Sequence, residues 1–225
     1  MTVTARSGTS WAGTLVRALA AGAAFGAATS LVNALSGSQA DLESRAYTTS
    51  GWSVAEIMSV LLDSGWAWAG LAVAVGWLVT RAGEGRPAAP AGRGAAAGAL
   101  ALLAATAAYS IVDTIRSGGE VPWYASEPLP WWIAAVVFGA PLGAVGACAG
   151  RPGVIGLLAR LTVPVGAAVQ MAVLPPGRNE VVQAIGKAIV WTAAAATVGV
   201  IVVRFLLTER RRRSPAAGDG KSRPA

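Results

Sequence analysis

The 225-residue sequence contains no histidine and a single cysteine, Cys148. A disulfide within the chain is therefore impossible, and the Cys and His ligands of zinc sites, c-type haem and iron–sulfur clusters are missing. Without histidine, acid–base chemistry would fall mainly to carboxylates. The sequence predicts no cofactor and no metal site.

Charged residues are also scarce: they make up 13% of the chain, whereas an average soluble domain has about 25%. Hydrophobic types account for 54%, and the mean hydropathy is +0.55. This composition argues against a soluble globular protein and predicts a polytopic integral membrane protein.

The common catalytic and nucleotide-binding signatures are missing from the sequence. It has no Walker loop, no G-x-S-x-G elbow, no H-E-x-x-H motif and no Gly-rich dinucleotide fingerprint. It also lacks a D-D-x-x-D cluster to hold magnesium and a diphosphate, which argues against an ionisation-type prenyl transferase.

Six stretches of the chain come close to the roughly 20 apolar residues that a helix needs to cross a bilayer core of about 30 Å. We therefore predict an all-α, polytopic membrane helix bundle of about six transmembrane helices. The predicted spans are residues 14–35, 57–80, 94–115, 129–149, 154–175 and 184–207. Residues 1–13 are predicted to form a cytoplasmic N-terminal segment, and residues 208–225 a disordered basic cytoplasmic tail.

Basic residues alternate between the two sides of these spans. With the N-terminus inside, fourteen of the 18 Lys and Arg residues fall on the inner side, and the outer side holds Arg45, Arg116, Arg178 and Lys187. Because cytoplasmic segments carry the excess of Lys and Arg, both termini are predicted to be cytoplasmic. The net charge of +7 is thereby explained as an orientation signal, so no nucleic-acid partner is expected.

Residues 1–40 allow a second interpretation. Arg6 and Arg17 precede an apolar run that ends in Ser38-Gln39-Ala40, which fits the small-x-Ala pattern of a signal-peptide cleavage site. The run is longer than the roughly 7 to 15 residues of a signal-peptide core. We therefore favour a retained first helix over a cleaved signal peptide.

Small residues and two prolines characterise the predicted spans. Membrane helices associate where small residues let their backbones approach. Such glycines are Gly22 and Gly26 in the first span, Gly139, Gly143 and Gly146 in the fourth, and Gly156 and Gly166 in the fifth. Pro141 and Pro164 lie inside the fourth and fifth spans, where each frees a backbone carbonyl and predicts a kink. Kinked neighbours fit either a cavity between the helices or a packed bend.

Apart from arginines at the inner boundary and isolated Ser or Thr residues, the polar residues within the predicted spans lie in the outer half. At about 1.5 Å per residue, three of them lie roughly 7 to 8 Å above the midplane: Asp63, Tyr109 and Gln170. Three more lie roughly 13 Å above it: Asn33, Asp113 and Lys187. Asp113 has a candidate ion-pair partner in Arg116, three residues later on the same helical face.

An acid or amide below the membrane interface is costly and tends to face a cavity or a partner. The sequence therefore predicts an outward-facing polar and aromatic cavity. Its candidate ligand contacts are Asp63, Tyr109, Asp113 and Gln170, with Trp66 and Trp68 as walls. Two alternatives stay open: an ordinary aromatic belt with charged helix ends, and a structural ion cluster in which the charged residues neutralise one another.

Four segments carry a resemblance to known proteins. They are Ala20-Ala-Gly-Ala-Ala-Phe-Gly-Ala-Ala-Thr-Ser-Leu, Asp63-Ser-Gly-Trp, Ala108-Tyr-Ser and Phe138-Gly-Ala-Pro-Leu-Gly. Over residues 15–207 the chain resembles a group of small uncharacterised actinobacterial six-helix integral membrane proteins. The resemblance implies a bacterial plasma membrane and a six-helix layout, and it brings no activity with it.

These features favour a non-enzymatic membrane protein that binds or passes a small molecule, ion or lipid through the outward cavity. The expected partners are membrane lipids and a small-molecule or lipid ligand, with a protein partner or homo-oligomer left open. One alternative is a membrane-embedded protonation-type cyclase, or another enzyme on a prenyl or lipid substrate, which needs an acid in an apolar pocket lined by aromatic rings. A second alternative is an accessory, permease-like subunit of a larger complex.

Overall fold

The computed structural model describes residues 11–42, 52–81, 90–118, 128–175 and 179–213. Within these ranges the chain forms seven α-helices and no β-strand. The helices are α1 (Trp11–Leu42), α2 (Val54–Leu62), α3 (Gly65–Arg81), α4 (Pro90–Arg116), α5 (Pro128–Cys148), α6 (Gly153–Val173) and α7 (Glu180–Arg213).

Five of these helices, α1 and α4 to α7, are each long and apolar enough to cross a membrane. The pair α2 and α3, bent by 57° at a short break, makes a sixth span if the two are counted together. The protein therefore has the architecture of a helical membrane bundle, as its composition predicts.

The outer surface and the core of the bundle differ in side-chain size. Large apolar side chains are exposed along the helices, as expected where a helix faces lipid tails. Examples are Val16, Leu31, Ile111, Val136, Leu158, Val200 and Leu206. The core is instead rich in small residues, and Ala72, Ala97, Ala101 and Ala105 are completely buried. Close approach of backbones therefore holds much of this bundle together.

Glycines on α1 and α4 set these two helices side by side. A Cβ atom added to Gly22 would overlap the carbonyl oxygen of Ala101, and one added to Gly26 would overlap that of Ala105. Since both contacts follow the same order along the two helices, α1 and α4 run in parallel. The close packing predicted for Gly22 and Gly26 is confirmed.

The α5 helix packs in the same way against α4. A Cβ atom on Gly143 would overlap the carbonyl oxygen of Gly94, and one on Gly98 would overlap that of Gly139. Rising residue numbers on α4 meet falling numbers on α5, so these two helices are antiparallel. Gly146 lies equally close to the backbone of α3. The small residues predicted to pack in this span do so, and α5 continues through Pro141 as one helix.

The α6 helix departs from the predicted small-residue packing. Nothing lies within 4 Å of a Cβ atom added to Gly166, and one added to Gly156 meets the carbonyl oxygen of Arg151 in the preceding turn. Instead, α6 and α7 pack around a side-chain cluster of Ala167, Met171 and Val190. Helix α6 also continues through its proline, Pro164.

The span predicted at residues 57–80 is interrupted at Asp63 and Ser64. The backbone N–H of Asp63 still bonds to Ser59 at 2.9 Å, and the Ser64 hydroxyl donates to the carbonyl oxygen of Val60. The next helix, α3, begins at Gly65. A serine that bonds to the preceding turn and a glycine, which is a poor helix former, locally weaken the helix and explain the interruption.

Helix α7 extends beyond its predicted end. Residues 208–213, predicted as the start of a disordered tail, are helical. The Thr208 hydroxyl donates to the carbonyl oxygen of Arg204 at 2.8 Å, and Glu209 pairs with Arg212 at 3.6 Å. Cations near a helix C-terminus also favour the helix dipole. Residues 214–225 and residues 1–10 lie outside the described part of the chain.

Two ends of the bundle can now be defined. The α2–α3 break lies near the end at which α1, α4 and α6 finish, and we call this the break end. At the opposite end α3, α5 and α7 finish, and we call it the arginine end. The described arginines there are Arg17, Arg81, Arg93, Arg151, Arg160, Arg204, Arg210, Arg211, Arg212 and Arg213.

Candidate functional site at the helix break

Three polar side chains from three helices meet near the break end. The Ser59 hydroxyl on α2 donates to the side-chain oxygen of Asn33 on α1 at 2.7 Å. The Asn33 amide nitrogen in turn donates to the Tyr109 hydroxyl on α4 at 3.2 Å. We call Asn33, Ser59 and Tyr109 the polar triad. It ties α1, α2 and α4 together by side-chain hydrogen bonds.

Trp68 on α3 lies beside the polar triad. Its ring centroid is 6.5 Å from that of Tyr109, and it meets Phe25 of α1 edge to face at 5.4 Å. Trp68 also packs against an apolar core cluster formed by Ala72, Leu102 and Ala135. Two of the predicted site residues, Trp68 and Tyr109, are therefore in contact.

Gln170 on α6 caps the beginning of α3. Its side-chain oxygen accepts a hydrogen bond from the backbone N–H of Trp66 at 2.7 Å. A Cβ atom on Gly65 would lie only 3.3 Å from that oxygen, so the small residue at position 65 gives the amide room. The first N–H groups of a helix have no partner within the helix, and Gln170 supplies one from 104 residues away.

Trp66 points toward the α6–α7 side of α3. Its ring packs against the cluster of Ala167, Met171 and Val190 together with Leu61. Residues two apart on a helix are about 200° apart around its axis, so Trp66 and Trp68 lie on nearly opposite faces of α3. The predicted cavity walls therefore face different neighbours.

The indole N–H of Trp66 is buried and has no hydrogen-bond partner among the described residues. Trp191 on α7 provides a contrast, because its indole N–H donates to the carbonyl oxygen of Ala168 at 3.1 Å. Leaving a buried donor unsatisfied costs about 1–3 kcal/mol. An acceptor supplied by a bound molecule would remove this cost at Trp66.

Both predicted aspartates are exposed. Asp63 caps the C-terminal end of α2 at the break itself. Asp113 lies near the end of α4 with 59% of its side chain exposed, and Arg116 lies 3.9 Å away. The predicted Asp113–Arg116 pair is confirmed, although an ion pair this exposed contributes only about 0–1 kcal/mol in water.

The structure thus distributes the six predicted site residues over distinct places. Trp68 and Tyr109 lie on the α1–α4 side of α3, and Trp66 and Gln170 lie on its α6–α7 side. Asp63 lies at the break between them, while Asp113 lies at the exposed end of α4. We refer to Asp63, Gly65, Trp66 and Gln170 as the break site.

Two polar features near the break end went unpredicted. Ser59 links two helices, but a lone serine in an apolar run gives no signal of such a role. Ser53 and Glu56 form a capping box: the Glu56 N–H donates to the Ser53 hydroxyl and the Ser53 N–H donates to the Glu56 carboxylate, both at 3.1 Å. The Ser-x-x-Glu spacing at residues 53–56 is the signal that identifies this cap.

Another concave surface lies at the arginine end. This groove of about 510 Å³ lies between the start of α6 and the end of α7. Its lining residues are Gly153, Val154, Phe205, Leu206, Glu209 and Arg210. Among the described residues, no group of three or more Cys, Asp or Glu side chains comes together as a metal site would require.

No protein family, curated protein or solved structure matches this chain. The resemblance to actinobacterial six-helix membrane proteins therefore stays a prediction. The function has to be inferred from the arrangement of the protein's own residues, and the break site and the polar triad are where polar groups gather inside the apolar bundle.

Proposed function

We propose that this is a multi-pass protein of the bacterial plasma membrane that binds an amphipathic small molecule or lipid at the break site. The observation that carries the proposal is the buried, unpartnered indole N–H of Trp66 beside an interrupted membrane span. Discontinuous helices are typical of ligand sites in membrane proteins, because broken backbone at membrane depth is tolerated where it lines a cavity or is buried in protein.

The break site supplies both polar and apolar contacts. Gln170 accepts from the backbone N–H of Trp66, and the indole N–H of the same residue is a buried donor open to a ligand oxygen. Leu61, Met171 and Val190 offer an apolar surface around the same ring. A ligand with one hydrogen-bond acceptor and a hydrocarbon portion would match both, as a lipid carbonyl with its attached chain does.

We infer that the break end faces the outside and that both termini are cytoplasmic. Ten described arginines lie at the arginine end, from Arg17 to Arg213, whereas Arg116 and Lys187 are the described basic residues near the break end. Cytoplasmic loops carry the excess of Lys and Arg. The ligand would then enter from the outer leaflet or from the external solution.

The geometry supports binding better than catalysis. A protonation-type cyclase needs an acid held in an apolar pocket, where desolvation keeps the acid protonated. Asp63 and Asp113 are instead exposed, and the buried Glu56 accepts the capping bond from Ser53. These positions favour a site that holds its ligand by shape and one hydrogen bond.

The proposal is tested with the lipids that co-purify with the full-length protein in mild detergent. The Trp66→Phe variant removes the indole N–H and keeps an aromatic ring. The matched control is Trp191→Phe, which removes an indole N–H that the protein itself satisfies. One hydrogen bond contributes about 0.5–1.5 kcal/mol, so native mass spectrometry should show roughly 2- to 10-fold weaker retention in Trp66→Phe alone. Equal retention in the two variants would contradict the proposal.

A further inference from the structure

Buried side-chain oxygen atoms on α1 and α2 also occur on the break-end side of the polar triad. Asn33 on α1 meets Ser59 on α2, and the earlier residue Phe25 meets the later residue Trp68 on α3. Rising residue numbers on α1 therefore meet falling numbers on α3 and α2, so α1 runs antiparallel to this bent pair. Ser36 lies three residues beyond Asn33 toward the end of α1, and Glu56 lies three residues before Ser59. The register therefore puts Ser36 and Glu56 at the same level.

Both of these residues are buried. Ser36 is 1% exposed and its hydroxyl has no hydrogen-bond partner among the described residues. Glu56 is 7% exposed, and one of its carboxylate oxygens accepts from the Ser53 N–H. No Lys or Arg in the described part of the chain forms an ion pair with Glu56. A buried carboxylate without a counter-charge is costly.

We propose that Asn33, Ser36, Glu56 and Ser59 bind a small monovalent cation such as Na⁺. All four supply oxygen, the ligand type that hard cations prefer. One carboxylate among neutral oxygens balances a single positive charge, whereas Ca²⁺ takes 6–8 oxygen ligands that commonly include several carboxylates.

This site differs from the proposed ligand site and does not depend on it. The break site lies on the α6–α7 side of α3, whereas these four residues lie on α1 and α2. The two proposals therefore fail separately: loss of Na⁺ binding would leave lipid retention at Trp66 unaffected, and loss of lipid retention would leave Na⁺ binding unaffected.

The test is thermal unfolding of the purified full-length protein in detergent at constant ionic strength. NaCl is titrated against N-methyl-D-glucamine chloride, a bulky organic cation that would not fit among four side-chain oxygens. A cation that binds only the folded protein stabilises it in a saturable manner. We expect a saturable rise of the unfolding midpoint with Na⁺ and no rise with N-methyl-D-glucamine.

Three variants make the test specific. Glu56→Gln removes the charge but keeps the capping box, for which Gln serves as well as Glu. Ser36→Ala removes one oxygen, and it serves as the second test variant in case Glu56→Gln does not fold. Ser30→Ala is the matched control, because Ser30 on α1 is also 1% exposed with an unpartnered hydroxyl but lies one turn before the site. We expect the half-saturating Na⁺ concentration to rise at least about 10-fold in the first two variants and to stay unchanged in Ser30→Ala.

Two results would overturn the cation site. One is a Na⁺ titration no different from that with N-methyl-D-glucamine. The other is a Na⁺ response of the same size in Glu56→Gln, Ser36→Ala and Ser30→Ala.

Discussion

The side-chain oxygen of Gln170 lies 2.7 Å from the backbone nitrogen of Trp66 and accepts its hydrogen bond. This bond joins α6 to the first turn of α3, immediately after the interruption of the span at Asp63 and Ser64. A residue that the sequence suggests as a ligand contact is thus also the cap of a broken helix. A side chain of another helix, that of Gln170, therefore stabilises the interrupted span.

Replacing Gln170 should therefore destabilise the break. Gln170→Met keeps the length of the side chain and removes the acceptor, which leaves the N–H of Trp66 unsatisfied. We expect the free energy of unfolding to fall by about 1–3 kcal/mol. Denaturant unfolding in mixed micelles measures this change.

Gln170→Glu provides the matched comparison, because a carboxylate retains the acceptor at the same position. Its loss of stability should be the smaller of the two. If Gln170→Met were as stable as the wild type, Gln170 would not be an effective cap.

The polar triad makes a second prediction. Tyr109→Phe removes the hydroxyl that accepts from Asn33, and Asn33→Ala removes the donor. Side-chain hydrogen bonds between membrane helices average about 0.6 kcal/mol in double-mutant cycles, and we expect a coupling energy of that size. A cycle built on Tyr109→Phe and Ser117→Ala, whose residues do not share this bond, serves as the control. Strictly additive effects of Asn33→Ala and Tyr109→Phe would show that the triad bond contributes nothing.

Glycine substitutions separate real helix contacts from chance ones. Gly143→Ala puts a methyl group where the carbonyl oxygen of Gly94 lies, so α4 and α5 must move apart. Such overpacking typically costs about 1–3 kcal/mol. Gly166→Ala has open space around it and should be neutral or slightly stabilising, since alanine is the better helix former. Thermal unfolding of the two variants side by side checks this, and equal midpoints would contradict the packing.

The inferred orientation is open to chemical labelling. In a Cys148→Ser background, Ser117→Cys adds a thiol at the exposed break end and Arg151→Cys adds one at the exposed arginine end. A membrane-impermeant maleimide applied to intact cells should label position 117 and spare position 151. Labelling of both positions after permeabilisation is the control. The reverse pattern in intact cells would invert the topology.

Much of the architecture can be predicted from the sequence, because long uncharged stretches have few alternatives in a membrane. The helical bundle and the close packing at Gly22, Gly26 and Gly143 all follow from local patterns. The break at Ser64 is harder to predict. It combines a weak local signal, Ser-Gly, with a cap from Gln170, which lies 104 residues away.

The candidate site is less predictable than the fold. Depth along a span puts Asp63, Tyr109 and Gln170 at similar heights, but depth does not say which way a side chain points. Trp66 and Trp68 are only two residues apart, and that spacing sends them to opposite faces of α3. The direction in which each helix faces its neighbours is set by contacts between distant residues, and these are not visible in a single sequence.

The central claim is that the buried indole N–H of Trp66 binds an acceptor on a membrane ligand. The most direct measurement is a cryo-EM structure of the full-length protein in lipid nanodiscs. The account predicts elongated non-protein density beside Leu61, Met171 and Val190, with a polar group within hydrogen-bond distance of Trp66 Nε1. A break site filled by protein side chains alone, with Trp66 bonded to one of them, would contradict it.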